Sequence, residues 1–268
     1  MLFYFYDMAD TSIDIGIVQF DIAWENPAAN MAYLDHLLQE ASGLDLILLP
    51  EMWSTGFTMH PEKAAESVPG PALEWMTTTS RRIDAVITGS LAVRDQGQYY
   101  NRWYCALPDG RLVSYDKKHL FSYGKEDQHY TSGQQQVVIE WKGWKIRPIV
   151  CYDLRFPVWI RNTQDYDLLL VAANWPAVRI HHWDALLRAR AIENQCYVAA
   201  VNRVGTDGNG LVYNGHSAVY DMNGMEVLTG GDTIGFLKTS LNMTSLRAFR
   251  DQFRFLQDRD RFSLEGPN

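Results

Sequence analysis

Three short segments carry reactive side chains just past apolar runs. In LLPEMWSTGF, Glu51 follows a buried strand-like stretch, and open α/β sheets build their sites at the carboxyl ends of strands. In YDKKHLF, Lys117 and Lys118 close one such stretch and precede apolar Leu120 and Phe121. Side chains alternate along a strand, so one of these lysines points inward and must be buried and paired. In IRPIVCYDLRFP, Cys151 ends an apolar run and opens a strand-to-helix turn over Tyr152 to Arg155. Such a turn exposes a nucleophile and aims the following backbone N–H groups at one point. Each segment alone has an ordinary reading: a polar exit from a sheet, a solvated turn, a small buried thiol. Together they are far more specific, because all three follow strands and jointly supply an acid/base, a cation and a thiol. Cys105 and Cys196 fall inside expected strands and read as packed small hydrophobes.

The elements that must position these groups alternate between strand and helix. Runs 13–20, 45–50, 85–94, 99–107, 111–116, 144–150, 167–173, 196–203 and 216–222 read as strands. Amphipathic spacing predicts helices over 28–41, 71–83, 183–194 and 244–255, and a further helical stretch separates 144–150 from 167–173. Pro71 suits a first helical turn, Pro108-Asp109-Gly110 a tight turn, and Asn223-Gly224 another. Apolar runs buried on both faces and separated by helices predict sheets covered by helices, and the many central strands predict two sheets. Adjacent His181 and His182 cannot both face one site and read as helix-entry residues.

Length and composition fit one large α/β domain: 268 residues, 47% hydrophobic and 21% charged. A net charge of −8 without any run of five basic residues argues against nucleic acid or an anionic membrane as partner. The longest nearly apolar stretch, 168–178, holds Asn174 and Pro176 and falls short of the ~20 residues a bilayer span requires. The first residues lack a basic n-region, and three widely spaced cysteines make no disulfide framework, so the cytoplasm is the expected compartment. There is no G-x-S-x-G for a serine hydrolase, and neither H-E-x-x-H nor paired C-x-x-C for zinc. Cys151 lacks the local signature of papain-like enzymes.

The combination resembles the nitrilase, or carbon–nitrogen hydrolase, superfamily. Its glutamate, lysine and cysteine blocks read here as Pro50-Glu51 through Gly56-Phe57, Tyr115 through Leu120, and Cys151 through Pro157. The likeness extends to ARAIENQCYVAAVNRVG (189–205) and GHSAV (215–219), nearly the whole chain from about residue 13. Asn174-Trp175-Pro176 and the Glu126-x-x-His-Tyr130 loop make it especially similar to the bacterial omega-amidases. Residues 1–12 lie outside the pattern as a leader without an assigned role, and 13–268 form a single hydrolase domain.

The resemblance implies a four-layer α-β-β-α sandwich, a homodimer, no metal and no organic cofactor. It also implies roles that the chemistry of amide hydrolysis supports. Cys151 attacks the carbonyl, Glu51 shuttles the proton to departing ammonia and then activates water, and Lys117 with the Tyr152 backbone N–H holds the oxyanion. Glu126 stands close to the lysine, and His119 is a packed residue of the lysine motif. The expected substrate is a short 2-oxo acid amide, 2-oxoglutaramate or 2-oxosuccinamate, converted to the 2-oxo diacid and ammonia through a thioester. Its carboxylate needs a local cation in an acidic protein, for which Arg179 is the candidate, with Trp175 as an apolar wall. Arg155 reads as support for the nucleophile turn. Within enzymes the alternative is a carbamoyl-amide hydrolase or nitrilase using the same residues. From another class, a non-catalytic binding subunit is disfavoured by the intact Glu51–Lys117–Cys151 set.

Overall fold

The computed structural model describes residues 12–264. The first sheet is built from β1 (Ser12–Gln19), β2 (Leu46–Leu48), β3 (Glu66–Ser67), β4 (Val86–Asp95), β5 (Gln98–Ala106) and β6 (Leu112–Asp116). The second holds β7 (Ile139–Trp141), β8 (Trp144–Val150), β9 (Leu168–Ala173) and β10 (Tyr197–Asn202). A hairpin of β11 (Val204–Thr206) and β12 (Val212–Asn214) projects beyond it, and β13 (Ala218–Tyr220) and β14 (Glu226–Thr229) extend its other side. The chain then returns to the first sheet as β15 (Gly235–Asn242), antiparallel to β1. Strand order is β15-β1-β2-β4-β5-β6, with β3 on β4, in one sheet and β14-β13-β10-β9-β8-β7 in the other.

The period-two pattern of the sequence decides what each face buries. In β1 and β2, Ile13, Ile15, Ile17, Leu46 and Leu48 point to the core between the sheets. Val18, Ile47 and Leu49 point the other way, toward α1 (Pro27–Leu37) and, past the short α2 (Pro61–Ala64), α3 (Pro71–Ile83). On the far side, α4 (Pro157–Ile160) and α5 (Ile180–Asn194) carry Trp159, Trp183 and Leu187 into the core, while α6 (Met243–Gln252) contributes Leu246. The layers are helix, sheet, sheet, helix, as expected.

The differences have local causes. α1 starts at Pro27, with the Asn26 side chain accepting the Ala29 N–H, and stops at Leu37, after which a 3₁₀ turn carries the chain to Glu40. α5 begins three residues before the expected 183, so His181 and His182 sit in its first turn. α6 ends at Gln252 rather than 255. β7, β14 and β15 and the β11–β12 hairpin were not expected. β15 is an edge strand whose residues include Lys238, Thr239 and Ser240, so it lacks the apolar run that marks a buried strand. Ser12, assigned to the leader, pairs with Asn242 as the first residue of β1, and the rest of that leader lies outside the described residues.

Candidate active site

Glu51, Lys117 and Cys151 converge from both sheets. β2 runs parallel to β1 and β4, and Glu51 lies three residues past its end. Lys117 follows β6 directly, Cys151 follows β8 directly, and Asn174 follows β9, which runs parallel to β8. Lys117 is held from two directions along the backbone: its N–H donates to Asn101 O at 3.0 Å and its carbonyl accepts from Gly133 N at 2.9 Å. A Cβ on Gly133 would stand 2.1 Å from Asp116 O, so this crossing requires glycine. Alternation along the chain turns Lys117 inward, 1% exposed, while Lys118 points outward to Gln134.

Lys117 Nζ donates to Glu51 Oε1 at 2.8 Å and to Glu126 Oε2 at 2.8 Å, and all three side chains are buried. Burial alone would discharge this lysine, but the two carboxylates more than offset that, and its pKa is held above the ordinary lysine value. Burial raises Glu126, with Lys117 pulling it back and Glu51 pushing it further up. The Glu126 carboxylate also accepts the Phe121 N–H at 2.7 Å, which fastens the 121–126 loop over the lysine. Glu51 Oε2 accepts the Asn174 N–H at 2.9 Å, and Asn174 Nδ2 donates to the Glu51 carbonyl at 2.6 Å.

Cys151 has φ +43°, in the left-handed region, at the head of the 3₁₀ turn Cys151–Arg155. Asp153 pins that turn: its carboxylate accepts from Val150 N at 3.1 Å, His119 N at 2.9 Å and Tyr115 OH at 2.8 Å. His119 stacks on Phe156 at 3.6 Å and is the packed residue its motif suggested. The Cys151 sulfur is 3.9 Å from the Asn174 carbonyl and only partly buried, whereas Cys105 and Cys196 are buried. Burial, then the Glu51 carboxylate, drives the Cys151 thiol well above its ordinary value, opposed by Lys117. In the resting site the thiol therefore keeps its proton, with a carboxylate beside it to take that proton.

The thiol opens onto a cavity of about 470 Å³, within the size range of small-molecule sites. Its wall includes Phe57, Phe121, Tyr152, Trp175, Arg155 and Arg179. Trp175 is 3% exposed and its Nε1 donates to Arg179 O at 2.9 Å, so it is both wall and brace. The Arg179 guanidinium lies over Phe121 at 5.5 Å. Arg155, expected only to support the nucleophile turn, instead lines the cavity with its guanidinium over Trp175 at 4.7 Å. The 3₁₀ turn rotates it outward, a direction that the linear motif does not reveal. Its Nη2 lies 3.1 Å from His182 Nδ1, which must accept because a guanidinium only donates. Burial, then the Arg179 charge, lowers the Arg155 pKa. Among the described residues, neither arginine has an ion-pair partner.

Two polar residues of the cluster were given no role by the sequence reading. Asn101 is buried and donates to both glutamates, at 2.8 Å and 3.0 Å. Its only sequence signal is an amide among the aromatic residues of β5. Asn174 stood out as part of a motif, but nothing in the sequence told of its hold on Glu51.

A family model described as carbon–nitrogen hydrolase matches residues 14–251. The chain belongs to the carbon–nitrogen hydrolase family and is an enzyme that acts on carbon–nitrogen bonds of amides. It is 45% identical to Omega-amidase YafV of Escherichia coli (strain K12) over 94% of this chain and 98% of that protein. It is 32% identical to the 2-oxoglutaramate amidase of Bacillus subtilis (strain 168), over 91% of this chain and 96% of that one. A crystal structure of a CN-hydrolase superfamily protein from Xanthomonas campestris, with an arsenic adduct in its active site, superposes with a TM-score of 0.93 at 43% identity. It covers 95% of this chain and 99% of that chain.

Proposed function

We propose that this enzyme is an omega-amidase that hydrolyses the terminal amide of 2-oxoglutaramate or 2-oxosuccinamate, giving the 2-oxo diacid and ammonia. The observation that carries this reading is the junction of the Glu51–Lys117–Glu126 cluster and Cys151 with a cavity wall holding two arginines without ion-pair partners among the described residues. In an acidic protein such a pair is a receptor for a carboxylate, which would gain charge-assisted hydrogen bonds there. The names of the relatives from Escherichia coli and Bacillus subtilis support the same substrate class.

In the proposed mechanism, Glu51 takes the Cys151 proton as sulfur bonds to the amide carbon. The developing oxyanion is held by Lys117 and the Tyr152 backbone N–H. The carbon–nitrogen bond then breaks as Glu51 gives the proton to nitrogen, and ammonia leaves a thioester on Cys151. Water, deprotonated by Glu51, attacks that thioester; the carbon–sulfur bond breaks, the diacid leaves and the thiol regains its proton. Glu126 keeps Lys117 charged and fixed throughout, so its ammonium meets the oxyanion already oriented. Acting as a homodimer, as the resemblance implies, and in the cytoplasm, as the three widely spaced cysteines suggest, completes the reading. The family match over 14–251 supports a single hydrolase domain.

The test compares 2-oxoglutaramate with a matched amide lacking the carboxylate, in wild type, Arg179→Met and Arg155→Met. The reading predicts a preference for the acid that shrinks in both variants through KM. No preference in wild type overturns the substrate. A preference that survives one substitution removes that arginine from the receptor.

A further inference from the structure

Two buried carboxylates share one ammonium in this cluster, and a second group lies between them. Asn101 Nδ2 has two hydrogens and uses one on each glutamate, reaching Glu51 Oε1 at 2.8 Å and Glu126 Oε1 at 3.0 Å. Its own Oδ1 accepts from Ser90 Oγ at 2.8 Å, and Ser90 Oγ accepts the Met52 N–H at 2.9 Å. The polarity of this chain is forced. Ionised carboxylates only accept, so the amide must turn its NH₂ to them and its oxygen to Ser90. With one lone pair taken by Met52, the serine hydroxyl directs its proton to that oxygen. Ser90 and Asn101 are fully buried, so bulk solvent does not reach either donor.

We propose that Asn101, oriented by Ser90, is a positioning residue that keeps Glu51 and Glu126 ionised together. It would thereby set the pH below which the hydrolysis assigned above stops. The physical reason is charge balance. Lys117 neutralises one of the two glutamates, which leaves one negative charge in a buried site where isolated charge is costly. Hydrogen bonds to the charged form of a carboxylate lower its proton affinity. Asn101 supplies one such bond to each glutamate without adding a charge. Its backbone carbonyl also accepts the Lys117 N–H, so one residue fixes the spacing of all three ions. Without its NH₂ the cluster would bind an additional proton more readily. Glu51 would then lose its capacity to accept the thiol proton at a higher pH.

The proposal rests on the amidase reading for its turnover readout but not for its second one. Asn101→Asp keeps the shape and replaces the donor with a third acid; Ser90→Ala removes the restraint on the amide together with the acceptor of the Met52 N–H; Ser90→Thr retains the hydroxyl. For each, kcat/KM on 2-oxoglutaramate and the rate of Cys151 alkylation by iodoacetamide are measured from pH 5 to 9, with thermal unfolding as a check on the fold. Because alkylation also needs the thiol proton removed, its acid limb reads the same cluster without turnover. The expected result is an acid limb raised by about one pH unit or more in Asn101→Asp, a factor of about ten in proton affinity. A smaller rise is expected in Ser90→Ala, and a limb near wild type in Ser90→Thr. Limbs unchanged in both Asn101→Asp and Ser90→Ala, with only stability or pH-independent activity lowered, overturn the proposal. If wild type hydrolyses no 2-oxo acid amide, the amidase reading fails and the alkylation limb alone decides the role of Asn101.

Discussion

Cys151, Glu51 and Lys117 are assigned different roles, so each substitution has its own expected outcome. Cys151→Ala should abolish turnover with little change in stability, because a thiol-to-methyl change is small at the cavity edge. Lys117→Met should lower kcat by ~10²–10³, the usual cost of losing a preorganised oxyanion donor, and Glu51→Gln, which stops the proton shuttle, by at least as much. Retention of more than about a tenth of the activity by either variant would contradict its role. Glu126 titrates above the ordinary glutamate range because burial disfavours its charge. Activity that needs the ionised pair should therefore fail, on lowering pH, above the usual carboxylate range. Glu126→Gln removes a neighbouring negative charge, so the acid limb of activity should move down while kcat falls and Cys151 stays alkylatable. An unmoved limb with normal kinetics would make Glu126 a mere loop fastener. Iodoacetamide should label Cys151 alone, since this thiol opens onto the cavity with Glu51 beside it to take its proton, whereas Cys105 and Cys196 are buried.

Which of these residues the sequence reveals depends on the kind of element that holds them. The three reactive groups were legible because each closes an apolar run, where a charge or thiol contrasts with its surroundings. Asn101 and Asp153 were not, since one lies within a strand and the other inside a turn, and what gives them meaning is a partner distant in sequence. Arg155 was misjudged for a related reason: its direction depends on the 3₁₀ turn rather than on spacing. Buried strands and the long helices followed from periodicity, whereas β15 and the β11–β12 hairpin, with exposed polar residues, did not. At this scale Gly133 is the sharpest test. Gly133→Ala forces the backbone away from Asp116 beside Lys117, and overpacking of this kind costs about 1–3 kcal/mol. Urea denaturation should show that loss, with a fall in kcat larger than stability explains. A variant with wild-type kcat would mean that this crossing does not position the lysine.

The whole molecule brings two sheets face to face so that strand ends from both meet at one cavity. On the proposed reading a −8 protein receives an acid because positive charge is local, in two wall arginines with no ion-pair partners among the described residues. No helix among the described residues is long and apolar enough to cross a membrane. Light scattering after gel filtration should give twice the 30.7 kDa chain mass if the enzyme is a homodimer; a value at the chain mass would remove that part of the reading. The central claim is cysteine-dependent hydrolysis of a 2-oxo acid amide, and ammonia release over a panel of small amides, ureides and nitriles tests it most directly. The account predicts that 2-oxoglutaramate or 2-oxosuccinamate has the highest kcat/KM in wild type and that Cys151→Ala releases no ammonia from any of them. Faster release from a ureide or nitrile, or undiminished release by Cys151→Ala, would contradict it.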